Sequence, residues 1–382
     1  MFLNNSRKTI FIYFTLTLVT VISSIILYLP FILHSDNWLG LKISNPKLDY
    51  IYKNFDGPFY IIPAKTLYKK DLIDIPGKGL IISLPLSDKY FAAHLPLYPI
   101  LIRLFSFIGY LKSMVFVNLL STVLFALFFY YFIKKLNLSE KPFILTIIML
   151  FLPRFLVVRS VGAPEGLFLL LIFISIYFFE KKSYLYSGIA GALATMTKIP
   201  GILLFAGYML VFFEKWLKTK KIDFKWLSIL LIPLGLLAVF LLYYFQYGDF
   251  LAFFHTGGVV AMPYPFSVFN SSSKWVITGW LEEIVVYFFI YLLAILNLKD
   301  TKYRSLFYFP LVFFFALTFV QHRDISRYAL PIWPFACIAF GKLFTSKKFI
   351  TALIIILPAI YLYAWNFLLT NIVPISDWSP FL

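Results

Sequence analysis

The chain has 382 residues, of which 61% are hydrophobic and 13% charged, with a mean hydropathy of +0.87 and a formal net charge of +17 at pH 7. A soluble domain carries about 25% charged and about 45–50% apolar residues, so an ordinary cytosolic enzyme and a disordered chain are both excluded. The apolar residues arrive in long blocks with the basic residues between them, which makes a bilayer the solvent of the fold and argues against a nucleic-acid surface.

In chain order, the first apolar run is Thr9 to Leu33. At about 1.5 Å per residue it reaches about 37 Å, enough to cross a hydrocarbon core of about 30 Å with some tilt. It is longer than the apolar part of a cleavable signal peptide and is read as a retained helix. Residues 34–90 follow as a large polar loop. Segment 91–111 is apolar enough to span, yet counting it as a span would carry every later basic loop across the membrane. It is therefore read as an outer juxtamembrane or re-entrant helix packed against protein. Further spans are predicted at about 113–133, 143–160, 164–180, 184–198, 199–214, 226–246, 280–297, 304–321, 327–344 and 348–369. A second large loop covers 247–279. The fold class is all-α: a polytopic transmembrane helical bundle of about 11 spans, forming one domain over 1–382 with loops 34–111 and 247–279 on the active-site side.

With the amino terminus in the cytoplasm, 18 of the 34 basic residues fall on cytoplasmic segments and 12 of the 17 acidic residues fall outside. That is the asymmetry expected of a multi-pass protein of the cell membrane. The cytoplasmic loops contain no Walker motif and no Gly-rich phosphate loop, which argues against nucleotide chemistry on that face. Cys337 is the only cysteine, and His34, His94, His255 and His322 are scattered, so neither a disulfide framework nor a metal-ligand spacing is present.

Ionisable residues gather where outer helix ends should lie: Asp56 in NFDGPFY, His94, Arg154, Arg159, Glu165, Lys198, and the cluster His322, Arg323, Asp324 and Arg327. Charges at membrane depth are costly and usually line a wet cavity or a substrate path. Each has a plainer alternative. The arginines could snorkel or pair, Glu165 could sit on a helix dipole, and Arg323–Asp324 could be a solvated turn. As a set they have a chemistry: one carboxylate to take a proton from a hydroxyl, and several cations to hold a phosphate as it leaves. A phosphate site at the outer interface of a bilayer suits a lipid-phosphate substrate.

At these residues the chain resembles the integral-membrane GT-C glycosyltransferases, and more narrowly the bacterial relatives of the second GPI mannosyltransferase, the PIG-V family. Phe55-Asp56-Gly57-Pro58-Phe59-Tyr60 resembles that family's Trp-Asp-x-x-x-Tyr/Phe signature, with Phe55 in place of the usual Trp. His94-Leu95-Pro96-Leu97-Tyr98-Pro99 resembles its Phe-Pro-Leu-Tyr-Pro element, and Ala163-Pro164-Glu165-Gly166-Leu167-Phe168 its Tyr-Ser-Glu-Ser-Leu-Phe. Gly191 to Gly201 resembles the Gly-Leu-Ala-x-x-Thr-Lys/Arg-x-x-Gly turn, and Arg327-Tyr328-Ala329-Leu330-Pro331 the late Arg-Tyr-x-Leu-Pro motif. The resemblance implies a polyprenyl-phosphate sugar donor, with mannose or a related hexose, and a glycan, lipid or protein acceptor. It implies Asp56 as catalytic base, donor-phosphate contacts near Lys198 and Arg327, and active-site support near Glu165. Arg159 and His322, as further charges at the outer helix ends, and His94 and Tyr98, within the matching His94–Pro99 element, are added as candidate substrate-binding residues. It implies no cofactor; no paired-acid motif accompanies Asp56, so nothing in the sequence calls for a metal, although a divalent ion stays open. Two other functions would use the same charges: a lipid-linked glycan transporter or flippase, and an oligosaccharide ligase or polymerase.

Overall fold

Helices run longest where the sequence stays apolar without a break. In the computed structural model, which describes residues 2–73, 88–256, 261–272, 276, 281–373, 375 and 377–382, five helical stretches are long and apolar enough to cross a membrane. They are Arg7–Ile32, Tyr110–Leu136, Ile199–Thr219, Phe224–Tyr247 and Lys347–Thr370. The Tyr110–Leu136 helix shows how the ends are set. It starts after Gly109, ends on Asn137 in the left-handed conformation, and carries Lys134 and Lys135 in its last turn, where cations meet the negative end of the dipole. Parts of both predicted outer loops, 74–87 with 257–260, 273–275 and 277–280, lie outside the described residues.

The other predicted spans are shorter apolar helices: Glu165–Glu180, Tyr184–Thr197, Leu281–Asn297 and Ser305–Thr318. Two are not continuous. The expected span at 143–160 divides into Pro142–Leu150 and Pro153–Val158, and that at 327–344 into Ile325–Tyr328, a 3₁₀ turn at Leu330–Ile332, Trp333–Ala339 and Gly341–Phe344. Proline accounts for the breaks: Pro153, Pro331 and Pro334 each sit in the first turn of a new piece, lack a backbone donor, and disfavour helix in the residue before them. The one α-helix wholly inside segment 91–111 is the eight-residue Leu97–Leu104, about 12 Å long and too short to cross; short 3₁₀ helices, Asp88–Ala93 and Ser106–Ile108, lie on either side of it. It is pinned to two neighbouring helices, with Tyr98 donating to Met114 O at 2.5 Å and Arg103 to Ala64 O and Lys65 O in the Ile61–Thr66 helix.

Close helix packing comes from small residues, as is usual where lipid removes the hydrophobic drive between helices. The Tyr184–Thr197 helix and the Phe224–Tyr247 stretch meet through Gly188 and Gly235. A Cβ at Gly188 would lie 2.3 Å from Ser228 O, and one at Gly235 2.8 Å from the backbone of Ala192.

The bundle has two chemically different ends. At one, Lys141 donates to Thr345 O, Glu180 accepts from Ser305, and Glu214 pairs with Arg304. These contacts tie together the short basic loops around 134–141, 180–183, 214–225, 298–305 and 341–348. At the other end lie Asp56, Arg154, Lys198, Asp324 and Arg327, with the carboxyl-terminal segment, where Val373 N donates to Lys53 O. In a Cys337→Ser background, single cysteines at Lys218 and Arg323 should therefore react with an impermeant maleimide from opposite sides of the membrane. Labelling of both from the same side of sealed vesicles would contradict this arrangement.

Candidate active site

The loop that carries Asp56 is held by its neighbours on both sides. Asn54 is buried, and its side-chain amide donates to Tyr50 O and Leu368 O at 3.1 and 2.8 Å. Phe55 adopts a left-handed backbone, and its N–H donates to Asn371 O. The chain then enters a 3₁₀ turn, Gly57–Tyr60, with Pro58 in the first turn. Gly57 is required by contact: a Cβ there would lie 2.9 Å from Gly162 O. That approach sets the Asp56 loop against the turn that leads into Glu165.

Glu165 is the first residue of the Glu165–Glu180 helix, where the dipole favours a carboxylate, and it is 1% exposed. Its Oε1 accepts from Lys198 Nζ and from Arg327 Nε, both at 2.8 Å. Lys198 reaches it because the preceding helix stops at Thr197. Lys198 itself is extended, and a 3₁₀ turn with Pro200 follows. Arg327 reaches it from the short Ile325–Tyr328 helix, and its guanidinium lies 4.1 Å from the centre of the Phe55 ring. Three distant segments thus meet on one buried carboxylate, beside the loop that bears Asp56.

Phe55, Asp56, Lys198 and Arg327 border a cavity of about 990 Å³. Of the residues expected at the site, Asp56, Lys198, His94, His322 and Arg327 line it. Asp56 is within Coulombic reach of Arg327, His94, His322 and Tyr90. Glu165 stands behind Lys198 and Arg327 in the wall. Tyr98 is also behind the wall, edge-on to Tyr60 with ring centroids 5.0 Å apart. Arg159 is placed elsewhere. It is fully buried and donates to Thr20 O, Ser24 Oγ, Ser23 Oγ and Leu150 O, bracing the amino-terminal helix against the broken helix around Pro153. Its donors are taken up by protein, and it does not border the cavity.

Arg154 and Asp324, which could equally be end-of-helix charges by sequence, line the cavity as a pair. Arg154 Nη2 lies 3.1 Å from Asp324 Oδ1, Nε donates to Ser326 Oγ, and the guanidinium stacks 4.0 Å from the Phe367 ring centre. Exposed Arg323 lies beside them. Asn371 to Val373 also line the cavity, through pairing with residues 53–55 that no short-range pattern announces. Among the described residues no three His, Cys, Asp or Glu side chains are grouped as metal ligands.

The two histidines are in different settings. His322 Nδ1 accepts from Asp324 N–H at 2.9 Å, and burial lowers its pKa. His94 sits among Phe59, Tyr60, Tyr90 and Phe91, with its ring centroid 4.6 Å from that of Tyr60.

No family model and no curated protein matches this chain. Solved structures do. ArnT from Cupriavidus metallidurans bound to undecaprenyl phosphate superposes with a TM-score of 0.57 at 12% identity, over 90% of this chain and 63% of that one. The archaeal oligosaccharyltransferase AglB from Archaeoglobus fulgidus, in complex with an inhibitory peptide and a dolichol-phosphate, superposes with a TM-score of 0.52 at 14% identity, over 94% and 56%. The same oligosaccharyltransferase tethered to an acceptor peptide gives 0.51 at 14%, over 94% and 56%. The chain shares the fold of these proteins, a polytopic bundle of membrane helices. It spans about three-fifths of the length of these chains, and at such identity the likeness is one of fold.

The His94 environment makes a prediction. Burial holds the His94 pKa down at about 4, against an ordinary value of about 6.5. Between those values the unfolded chain takes up a proton that the folded chain does not. The contribution to stability is therefore complete above pH 6.5 and is lost as pH falls towards 4. In His94→Phe, which keeps an aromatic ring in the same cage, the fall in unfolding temperature between pH 7 and pH 5 should be smaller than in the wild type. An identical fall in both proteins would exclude His94 as its source.

Proposed function

We propose that this protein is an integral-membrane glycosyltransferase that moves a hexose, mannose or a close relative, from a polyprenyl-phosphate donor to an acceptor hydroxyl at the extracytoplasmic face. The observation that carries this reading is the convergence of Lys198 and Arg327 on Glu165 beside Asp56, in the wall of a large cavity in a GT-C-like fold. The shared lipid chemistry of the superposed proteins supports it: the ArnT and AglB structures contain undecaprenyl phosphate and dolichol-phosphate. The gathering of the basic loops at the opposite end supports the extracytoplasmic side.

Charge balance suits the reaction. A polyprenyl-phosphate sugar is a phosphodiester with one negative charge, and Lys198, Arg327 and Glu165 together carry one net positive charge. As the acceptor oxygen attacks the anomeric carbon, its proton passes to Asp56 and the bond from that carbon to the phosphate oxygen breaks. The leaving polyprenyl phosphate gains a second negative charge. Cations already fixed at that point stabilise the new charge more than the old one, which is the condition for lowering the barrier. Arg323, on the cavity wall, supplies a further positive charge. Single in-line displacement inverts the anomeric centre. A flippase is less well supported, since the ionisable groups that line the cavity gather at one end of the bundle, and Arg159, which is nearer mid-span, has its donors on protein and does not border the cavity.

Asp56→Asn keeps the shape of the loop and removes the base. The variant should insert and fold normally yet lose at least about a hundredfold in transfer from radiolabelled polyprenyl-phosphate hexoses in a membrane extract. Asp49→Asn and Asp71→Asn, nearby in the chain, should stay within a few-fold of wild type. A folded Asp56→Asn protein with near-normal turnover would remove Asp56 from the reaction.

A further inference from the structure

At the end of the bundle away from the cavity, the Leu203–Thr219 helix and the turn that starts at Phe224 leave a groove of about 520 Å³. Lys215, Lys221, Lys225 and Trp226 line it, with Ile222, Phe224 and one acid, Asp223. The chain builds this shape locally. Lys220 is left-handed at the helix end, Thr219 Oγ1 accepts from Lys221 N, and Asp223 caps the next turn by accepting from Lys225 N. The two nearby acids are already engaged: Glu214 holds Lys218 and Arg304, and Asp223 serves as the cap. Lys215, Lys221 and Lys225 thus stand exposed, with no ion-pair partner among the described residues. Lys215 lies over the Trp226 ring at 5.2 Å.

The apolar residues beside these lysines are open in an unusual way for a loop. Phe224 is 83% exposed and Ile222 69%, and Phe213, Leu217 and Leu227 continue the apolar surface along the helices. Three cations over a band of exposed apolar side chains match a ligand with a phosphate head and acyl tails. We propose that this groove binds the head group of an anionic glycerophospholipid, its phosphate held by Lys215, Lys221 and Lys225 and its glycerol and first acyl carbons lying on Ile222 and Phe224. Each basic residue near an anionic lipid surface contributes a preference of about fivefold. The site is separate from the cavity, and its test does not depend on glycosyl transfer.

The experiment is native mass spectrometry of the full-length protein, released from nanodiscs that contain equal amounts of phosphatidylglycerol and phosphatidylcholine. The wild type should retain phosphatidylglycerol at least about fivefold over phosphatidylcholine. Lys221→Ala/Lys225→Ala should lower that ratio at least about fivefold, whereas Lys134→Ala/Lys135→Ala, at the same end but outside the groove, should leave it unchanged. Lys221→Gln/Lys225→Gln replaces the first pair if that variant does not fold. Excess inorganic phosphate should not displace the lipid; displacement would mean that free phosphate alone is the ligand and would overturn the proposal. No preference in the wild type, or equal losses in the two double variants, would also overturn it.

Discussion

A carboxylate cannot stay ionised inside a protein unless something replaces its water. Glu165 meets this condition through two cations on one oxygen, Lys198 and Arg327, each at 2.8 Å. Removing one partner of such a group typically costs about 3–5 kcal/mol, because the remaining charge is left buried. The three residues belong to parts of the chain that are otherwise far apart. Their meeting fixes the wall of the cavity and, through Arg327 over Phe55, the loop that bears Asp56.

The helix breaks are the means by which these side chains arrive. A bundle of uninterrupted helices would place its charges on loops outside the membrane. Here the backbone stops short at Thr197, Val158 and Tyr328, and the cavity takes up the space that continuous helices would fill. Irregular backbone at membrane depth is tolerable where it is buried in protein or borders water, and both conditions hold around this site. Arg159 has the opposite use. Its guanidinium is spent on hydroxyls and carbonyls of the amino-terminal helix and of Leu150, which steadies the break at Pro153 from behind.

Much of this was legible in the amino-acid order, and the remainder was not for physical reasons. Long apolar runs declare themselves, so the long helices fall where expected. The loop charges also declared which ends share a side, and that is why segment 91–111 could be kept out of the spans; its eight-residue helix agrees. Asp56, Lys198 and Arg327 stand out as charges in apolar surroundings. The same signal cannot distinguish a side chain that faces a cavity from one that braces two helices, so Arg159 looked like its neighbour Arg154 until their partners were seen. Proline kinks at 153 and 331 are visible as residues, yet the direction of the chain after each break depends on tertiary packing. The pairing of residues 53–55 with 371–373 joins opposite ends of the sequence through a few backbone hydrogen bonds, and no local pattern encodes it.

The central claim is that Lys198 and Arg327, held by Glu165, form the seat of a lipid phosphate. It is tested most directly by binding without turnover: titration of purified protein with undecaprenyl phosphate, followed by phosphorus NMR, for the wild type, Lys198→Ala and Arg327→Ala. Charge-assisted contacts to phosphate contribute about 1.5–3 kcal/mol each, so either variant should bind at least about tenfold more weakly while keeping its helical content. Wild-type affinity in both folded variants would contradict the claim.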